Sequence, residues 1–363
     1  MTRSSPHPAL SHPGLRFALG ICLSLALLGA LLFYLDISPG QIWDALRQAP
    51  PLGLALVIAV HLFALIAKVA RWGLLLRGSS CIHQRDSETP GDPALRYLVQ
   101  DAVFLGWLGN LALPAKTGEM VRPLLFSRRS GLPFTRVFGT VVLERSIDLL
   151  VIALMFWASF TLFNVPESIP QTLIATSRLA GLGAVLLLLG LVVLWKLGPP
   201  EDESNTGDGG LAARVVTLLA SFRSGLAGFQ HPRMLVGVMA WTGASWALEV
   251  LGAWLCLVIF KVKLSASGAA ATMHVVATTL AVSVVPVPGG LGVEQPVTLA
   301  IFSPFADGPL PADTIIAVSL VLSFASIFWV LPLGLLGMWR QGARLNSQAA
   351  SRITAGYGTQ RDD

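Results

Sequence analysis

Six stretches of the chain, residues 15–35, 51–70, 137–162, 175–197, 233–260 and 314–339, are apolar and long enough to cross roughly 30 Å of hydrocarbon. Two other apolar regions break that pattern. Residues 98–115, LVQDAVFLGWLGNLALPA, carry Asp101, Asn110 and Pro114 within a short run. Residues 268–305 form two apolar runs separated by VPVPGGLGVEQP at 285–296, where prolines, glycines and a glutamate interrupt what would be one helix.

The basic residues decide how these two regions should be drawn, because cytoplasmic loops are enriched in Lys and Arg. If both regions turn back without crossing, one side collects two basic residues from the N-terminal segment, four from 71–97, five from 116–136, four from 196–233 and four from the tail, which is 19 of the 25. The opposite side then holds only Arg47, Lys261 and Lys263. Letting 98–115 cross would place the five residues of 116–136 opposite the four of 71–97 and remove most of the bias. The expected fold is therefore an all-α polytopic membrane protein with about six spanning helices and two re-entrant helical hairpins, about eight membrane elements in all. Both termini are expected in the cytoplasm.

The two breaks resemble each other. Pro114-Ala-Lys-Thr-Gly118-Glu119 and Pro288-Gly-Gly-Leu-Gly292-Val-Glu294 each place proline four residues before glycine, with a glutamate just after. Each hairpin follows two spanning helices and precedes one, so the halves at about 15–165 and 170–340 would form an inverted repeat, as in many secondary transporters. In this reading residues 1–340 are a single integral membrane domain. The polar linker at 198–212, GPPEDESNTGDGGLA, is a flexible cytoplasmic loop, and 341–363 are a disordered cytoplasmic tail.

Composition agrees with a membrane protein: 54% of the residues are hydrophobic and 12% charged, and the mean hydropathy is +0.69. The first apolar run is longer than a signal-peptide core and lacks a convincing small-residue cleavage site, so it is expected to be retained. A net charge of +5 would suggest nucleic acid in a soluble protein. Here the basic residues lie in short loops beside apolar runs, so their partner is an anionic membrane surface and no nucleic-acid partner is expected. Cys22, Cys81 and Cys256 show no metal or disulfide spacing. Nucleotide-binding glycine loops, H-E-x-x-H and G-x-S-x-G are all missing, so no catalytic residue, metal site or cofactor is expected.

Charges within a bilayer cost roughly 2.5–3.5 kcal/mol each on insertion scales, which makes every one a candidate for function. The densest group is Glu144-Arg145-x-x-Asp148, whose helical spacing lets Glu144 and Asp148 share a face and Arg145 reach Asp148. An ion network bracing the helices and a polar site for a lipid headgroup or coupling ion both fit it. Glu119 and Arg122 follow the first break, where guanidinium and released backbone amides would suit a phosphate; ordinary loop charge is the alternative, and the better one for Arg128 and Arg129. Lys68, Arg71 and Trp72 end the second apolar run, where snorkelling at the interface accounts for them. Glu249 is a lone carboxylate in a long apolar helix, while His61 and His274 are expected to be structural. Candidate hinge positions are Pro114, Gly118, Pro286, Pro288, Gly289, Gly290 and Gly292, with Glu294 opening the helix that follows.

The order RW at 71–72, P-x-x-x-GE-x-x-R at 114–122, ER-x-x-D at 144–148 and P-x-PGG-x-G-x-E at 286–294 resembles the flippase-like membrane family also called the lysylphosphatidylglycerol synthase transmembrane region. The resemblance covers about residues 15–340. It implies a helical bundle that moves or binds an anionic phospholipid or a polyprenyl-phosphate-linked lipid across the inner membrane. The implied site residues are Arg71, Glu119, Arg122, Glu144, Arg145, Asp148 and Glu294, and the implied partners are lipid-modifying enzymes or glycosyltransferases. The alternative is a membrane enzyme or enzyme subunit that modifies lipid headgroups. In the multiple peptide resistance factors this region is joined to a soluble aminoacyl transferase. About 23 polar residues follow the last apolar run here, so this chain is expected to act as a transporter more than as an enzyme. Relatives also often carry arginine ahead of the proline in the last helix, where this chain has Ser323-Phe-Ala-Ser326 before Pro332.

Overall fold

In the computed structural model the described residues are 13–78, 93–112, 118–162, 171–197, 220, 223, 232–285, 287 and 290–358. Proline starts many of the helices, since its fixed φ suits the first turn and its missing N–H is not needed there. The helices are α1 (Pro13–Tyr34), α2 (Pro39–Gln48), α3 (Pro51–Gly78), α4 (Pro93–Ala112), α5 (Gly118–Ser130), α6 (Phe134–Thr161), α7 (Gln171–Leu197), α8 (Pro232–Ile259), α9 (Ser267–Val284), α10 (Glu294–Phe302) and α11 (Ala312–Gly358). The fold is all-α, with no β-sheet among the described residues.

The protein is a multi-pass membrane protein. Among the described residues α3, α8, α9 and α11 have the length and apolar character to cross a bilayer, and the pair α1 and α2, bent by 92°, makes a fifth candidate. At 28 residues α6 is long enough as well, roughly 42 Å at 1.5 Å per residue. Its charges lower its hydropathy, but Glu144 and Asp148 are buried among neighbouring helices. The outer surface is apolar instead, with Phe63, Ile66, Leu154, Trp157, Leu182, Leu186, Phe324 and Phe328 exposed. That inside-out distribution suits a lipid solvent.

Helix α2 escapes the sequence reading. It is short and amphipathic, capped by Ser38, whose hydroxyl accepts from the Gln41 amide at 3.3 Å while Gln41 Oε1 accepts from the Ser38 amide at 2.7 Å. Ile42 and Ala45 are buried against Ile316 and Ala317 of α11. At the other end of the chain, residues 341–358 continue α11 where a disordered tail is expected. Their Ala, Gln, Arg and Leu content is compatible with helix once a preceding turn has nucleated it.

Both interrupted regions form helical hairpins, α4 with α5 and α9 with α10. At the first, Gly106, Gly109 and Gly118 bring the two backbones together. A Cβ on Gly118 would lie 2.1 Å from the Gly106 carbonyl oxygen and 2.4 Å from the Asn110 nitrogen. At the second, Gly290 and Gly292 adopt φ of 73° and 84°, which only glycine takes readily. The hinge candidates Pro114, Pro286, Pro288 and Gly289 lie outside the described residues, as does the linker at 198–212.

Packing partners fall into corresponding sets. The contact between α3 and α8 is the most extensive, and around it α4 packs on α11 while α9 packs on α6. Likewise α5 meets α6 as α10 meets α11. Each half has its own apolar core. Trp72, Leu76, Leu98, Phe126, Val137 and Ile147 join α3 to α6, and Leu257, Ala270, Phe302, Phe305, Ile315 and Val318 join α8 to α11.

Candidate functional site

Where the hairpins meet α3, α6, α8 and α11 the bundle forms a partly open cavity of about 370 Å³. Its lining mixes apolar side chains such as Leu65, Val275, Val282 and Leu322 with charged ones from both halves. On one wall lies the network built around α6. Arg71 of α3 donates to Asp148 Oδ1 and Oδ2 at 2.5 and 3.1 Å and also to Glu144 Oε1, while Arg122 of α5 donates to Glu144 Oε2. Arg145 reaches Glu144 at 3.0 Å, Asp148 at 3.3 Å and Glu119 at 3.9 Å. The Trp246 indole of α8 donates to Asp148 Oδ1 at 3.1 Å.

Three guanidinium groups therefore converge on Glu144, whose side chain is 1% exposed. A carboxylate that deeply buried is tolerable only when paired and hydrogen-bonded. The Arg122 guanidinium also lies over the Trp72 ring at 4.5 Å, and the Trp72 indole donates to Thr140 at 3.1 Å. Arg71, Arg122 and Glu144 thus form the closed back of the network, bracing α3, α5 and α6, with Arg71 also reaching the cavity wall. Arg145 differs from them, because its side chain is 47% exposed and faces the cavity.

Several expectations change here. Arg71 and Trp72 do not snorkel at an exposed surface: α3 runs on to Gly78, and both are buried within the bundle. An apolar run that stops at residue 70 hides this, because the next turn is held by ion pairs rather than by lipid. Glu249 is not alone, since Lys68 Nζ donates to its Oε1 at 2.6 Å and His61 Nε2 lies 3.6 Å from its Oε2. Arg122 sits behind the cavity rather than in its lining, and Arg128 and Arg129, in the last turn of α5, are not in the lining either. Glu294 does line the cavity, opening α10 as expected, and Ser323 donates to it from α11. Ser323, from the stretch Ser323-Phe-Ala-Ser326 ahead of Pro332, thus holds the carboxylate of the second hairpin. Gly290 is also in the lining, where a Cβ would lie 2.5 Å from Glu294 Oε1.

Asp101, met in the sequence as an awkward charge, lies outside the cavity. It is fully buried, and Gln341 donates to it at 2.8 Å from α11 with Arg340 at 3.5 Å. A spacing of 240 residues gives the sequence no local signal for that contact.

Residues 18–334 match the lysylphosphatidylglycerol synthase TM region. The chain belongs to that family. Within the lysylphosphatidylglycerol synthase TM region family, the chain is 24% identical over 335 residues to a UPF0104 membrane protein of Methanothermobacter thermautotrophicus, covering 87% of this chain and 92% of that protein. A second similarity, 26% over 134 residues, is to the glycosyltransferase AglD of Haloferax volcanii, and covers 37% of this chain and 19% of AglD. No solved structure matches the chain. The family assignment agrees with the motifs that gather here, because the RW, GE-x-x-R and ER-x-x-D positions form one network and the PGG-x-G-x-E glutamate faces it across the cavity.

Proposed function

We propose that this chain is a flippase-like protein that binds an anionic phospholipid or a polyprenyl-phosphate-linked lipid and moves it across the bilayer. The observation that carries this reading is the cavity. It lies inside an apolar bundle at the junction of two helical hairpins, and it presents the exposed Arg145 guanidinium beside a surface that can follow an acyl or prenyl chain. Guanidinium offers planar, paired donors that suit phosphate oxygens. Arg145, Glu119, Asp148 and Glu294 are the headgroup contacts in this reading. Arg71 and Glu144 hold Asp148 and Arg145 in place, and Arg122 braces Glu144.

The corresponding contacts of α4 with α11 and α9 with α6 support an inverted repeat, with the hairpins as its moving parts. The concentration of Lys and Arg in alternate loops supports a bacterial inner membrane with both termini cytoplasmic. A subunit serving lipid headgroup chemistry is the second reading. It draws on the 134-residue similarity to a protein named as a glycosyltransferase, and lipid-modifying enzymes or glycosyltransferases are the partners it would take.

The test is exchange of fluorescent phosphatidylglycerol and of a labelled polyprenyl phosphate between leaflets of vesicles holding the purified chain. Exchange faster than in empty vesicles is expected, falling at least about tenfold in Arg145→Ala, which removes a charge-assisted contact. Rates equal to those of empty vesicles for both lipids would sink the proposal. Conversion of either lipid to a new product, seen by mass spectrometry, would favour the second reading.

A further inference from the structure

His61, Lys68 and Glu249 belong to none of the family motifs, yet all three line the cavity. His61 is buried, and its Nδ1 lies 2.9 Å from the Val57 carbonyl oxygen. A carbonyl can only accept, so Nδ1 must carry a hydrogen. In the neutral ring this leaves Nε2 as a bare lone pair, aimed at Glu249 Oε2 from 3.6 Å. Two acceptors then face each other at the cavity wall, and one further proton on Nε2 or on the carboxylate would join them. Flipping the tautomer only transfers the same conflict to Val57.

The ring has little freedom to escape. A Cβ on Gly252 of α8 would lie 2.8 Å from His61 Cε1, so the ring is seated directly against that backbone. The other oxygen of Glu249 is held by Lys68, with Nζ to Oε1 at 2.6 Å. We infer that His61, Glu249 and Lys68 form a binding site for one proton, and that occupancy of this site is coupled to entry of an anionic headgroup into the same cavity. The coupling rests on the lipid reading above; the proton site itself does not.

The charges around the cavity supply the reason for coupling. Besides the triad, α3 presents Arg71, α5 presents Glu119, α6 presents Arg145 and Asp148, α9 presents His274 and α10 presents Glu294. Helices α4 and α11 contribute Asn110 and Ser323 but no charged group to the lining among the described residues. Among the described residues three cations and four carboxylates line the cavity, with Arg122 and Glu144 paired behind them. With both imidazoles neutral, the described triad offers a phosphate no positive charge beyond that of Lys68, which Glu249 already engages. A proton passed from hydronium to Nε2 forms one N–H bond, breaks one O–H bond, leaves a water molecule and adds one positive charge to the cavity wall, which favours an anionic headgroup. By linkage, a lipid that prefers the protonated cavity must also promote uptake of the proton.

The experiment uses the full chain in phosphatidylcholine nanodiscs, with dioctanoyl phosphatidylglycerol as the probe. Calorimetry in buffers of different ionisation enthalpy should record close to one proton taken up per lipid bound, and affinity should rise several-fold between about pH 8 and about pH 5, where imidazole changes charge. His61→Gln, which keeps a side-chain donor for Val57, should bind lipid with no proton uptake and a flat pH profile. Lipid binding without proton uptake in the unaltered chain, or unchanged uptake in His61→Gln, overturns the coupling while leaving the lipid reading intact. If the lipid does not bind at all, the lipid reading and the coupling fall together. Nitrogen NMR of isotope-labelled histidine then decides the proton site alone: Nδ1 protonated throughout with Nε2 gaining a proton supports it, and Nδ1 bare throughout overturns it.

Discussion

Glu144 and Arg145 are neighbours in sequence but do different work, and substitution should separate them. Removing one guanidinium from the closed back, as in Arg71→Ala, leaves Glu144 and Asp148 as poorly compensated buried charges. Thermal unfolding in detergent should show a loss of about 3–5 kcal/mol, the range for breaking a buried pair. Arg145→Ala should leave the unfolding midpoint nearly unchanged, because its side chain is half exposed, while lipid exchange falls. An equal loss of stability in both would mean that Arg145 is only a further brace. Asp101→Ala should cost about 1–3 kcal/mol, since Gln341 and Arg340 lose their acceptor, with no change in lipid affinity because Asp101 is remote from the cavity.

At the scale of elements, the hydrophobic pattern made much of this molecule legible. The six apolar stretches are matched by α1, α3, α6, α7, α8 and α11, and both interrupted regions fold as hairpins. What sequence could not show is which helix faces which. Lys68 and Glu249 are 181 residues apart, and Arg71 and Glu144 are 73 apart. Local spacing reports the Arg145 to Asp148 contact within one helix and is silent on these others. The hairpins also depend on close backbone approach, which a hydropathy pattern does not record. Gly118→Ala would drive a methyl group into the Gly106 and Asn110 backbones, so little folded protein should be recovered by size-exclusion chromatography. Gly181→Ala, in α7 with nothing within 4 Å of the added methyl, should behave as the unaltered chain and serves as the control.

For the molecule as a whole, the sides on which its ends lie fix whether the number of crossings is even or odd. If both hairpins return to the side they came from, as the distribution of Lys and Arg favours, the number of spans is even and the last residue should share the cytoplasmic side with the first. A fluorescent protein fused after Asp363 should therefore light up in cells, while alkaline phosphatase at the same place should stay inactive. The opposite pattern would mean that one hairpin crosses, and the half-repeat proposal would have to be redrawn.

The seam between α3 and α8 carries a further consequence. It is the broadest contact in the molecule, it joins one half to the other, and each half brings its own apolar core to it. Nothing in that arrangement requires a peptide bond between the halves. A gene cut between Ser204 and Asn205 and expressed as two open reading frames should yield fragments that find each other in the membrane and co-purify. Bulky replacements along the seam, such as Gly53→Trp beside Ile259, should keep them apart.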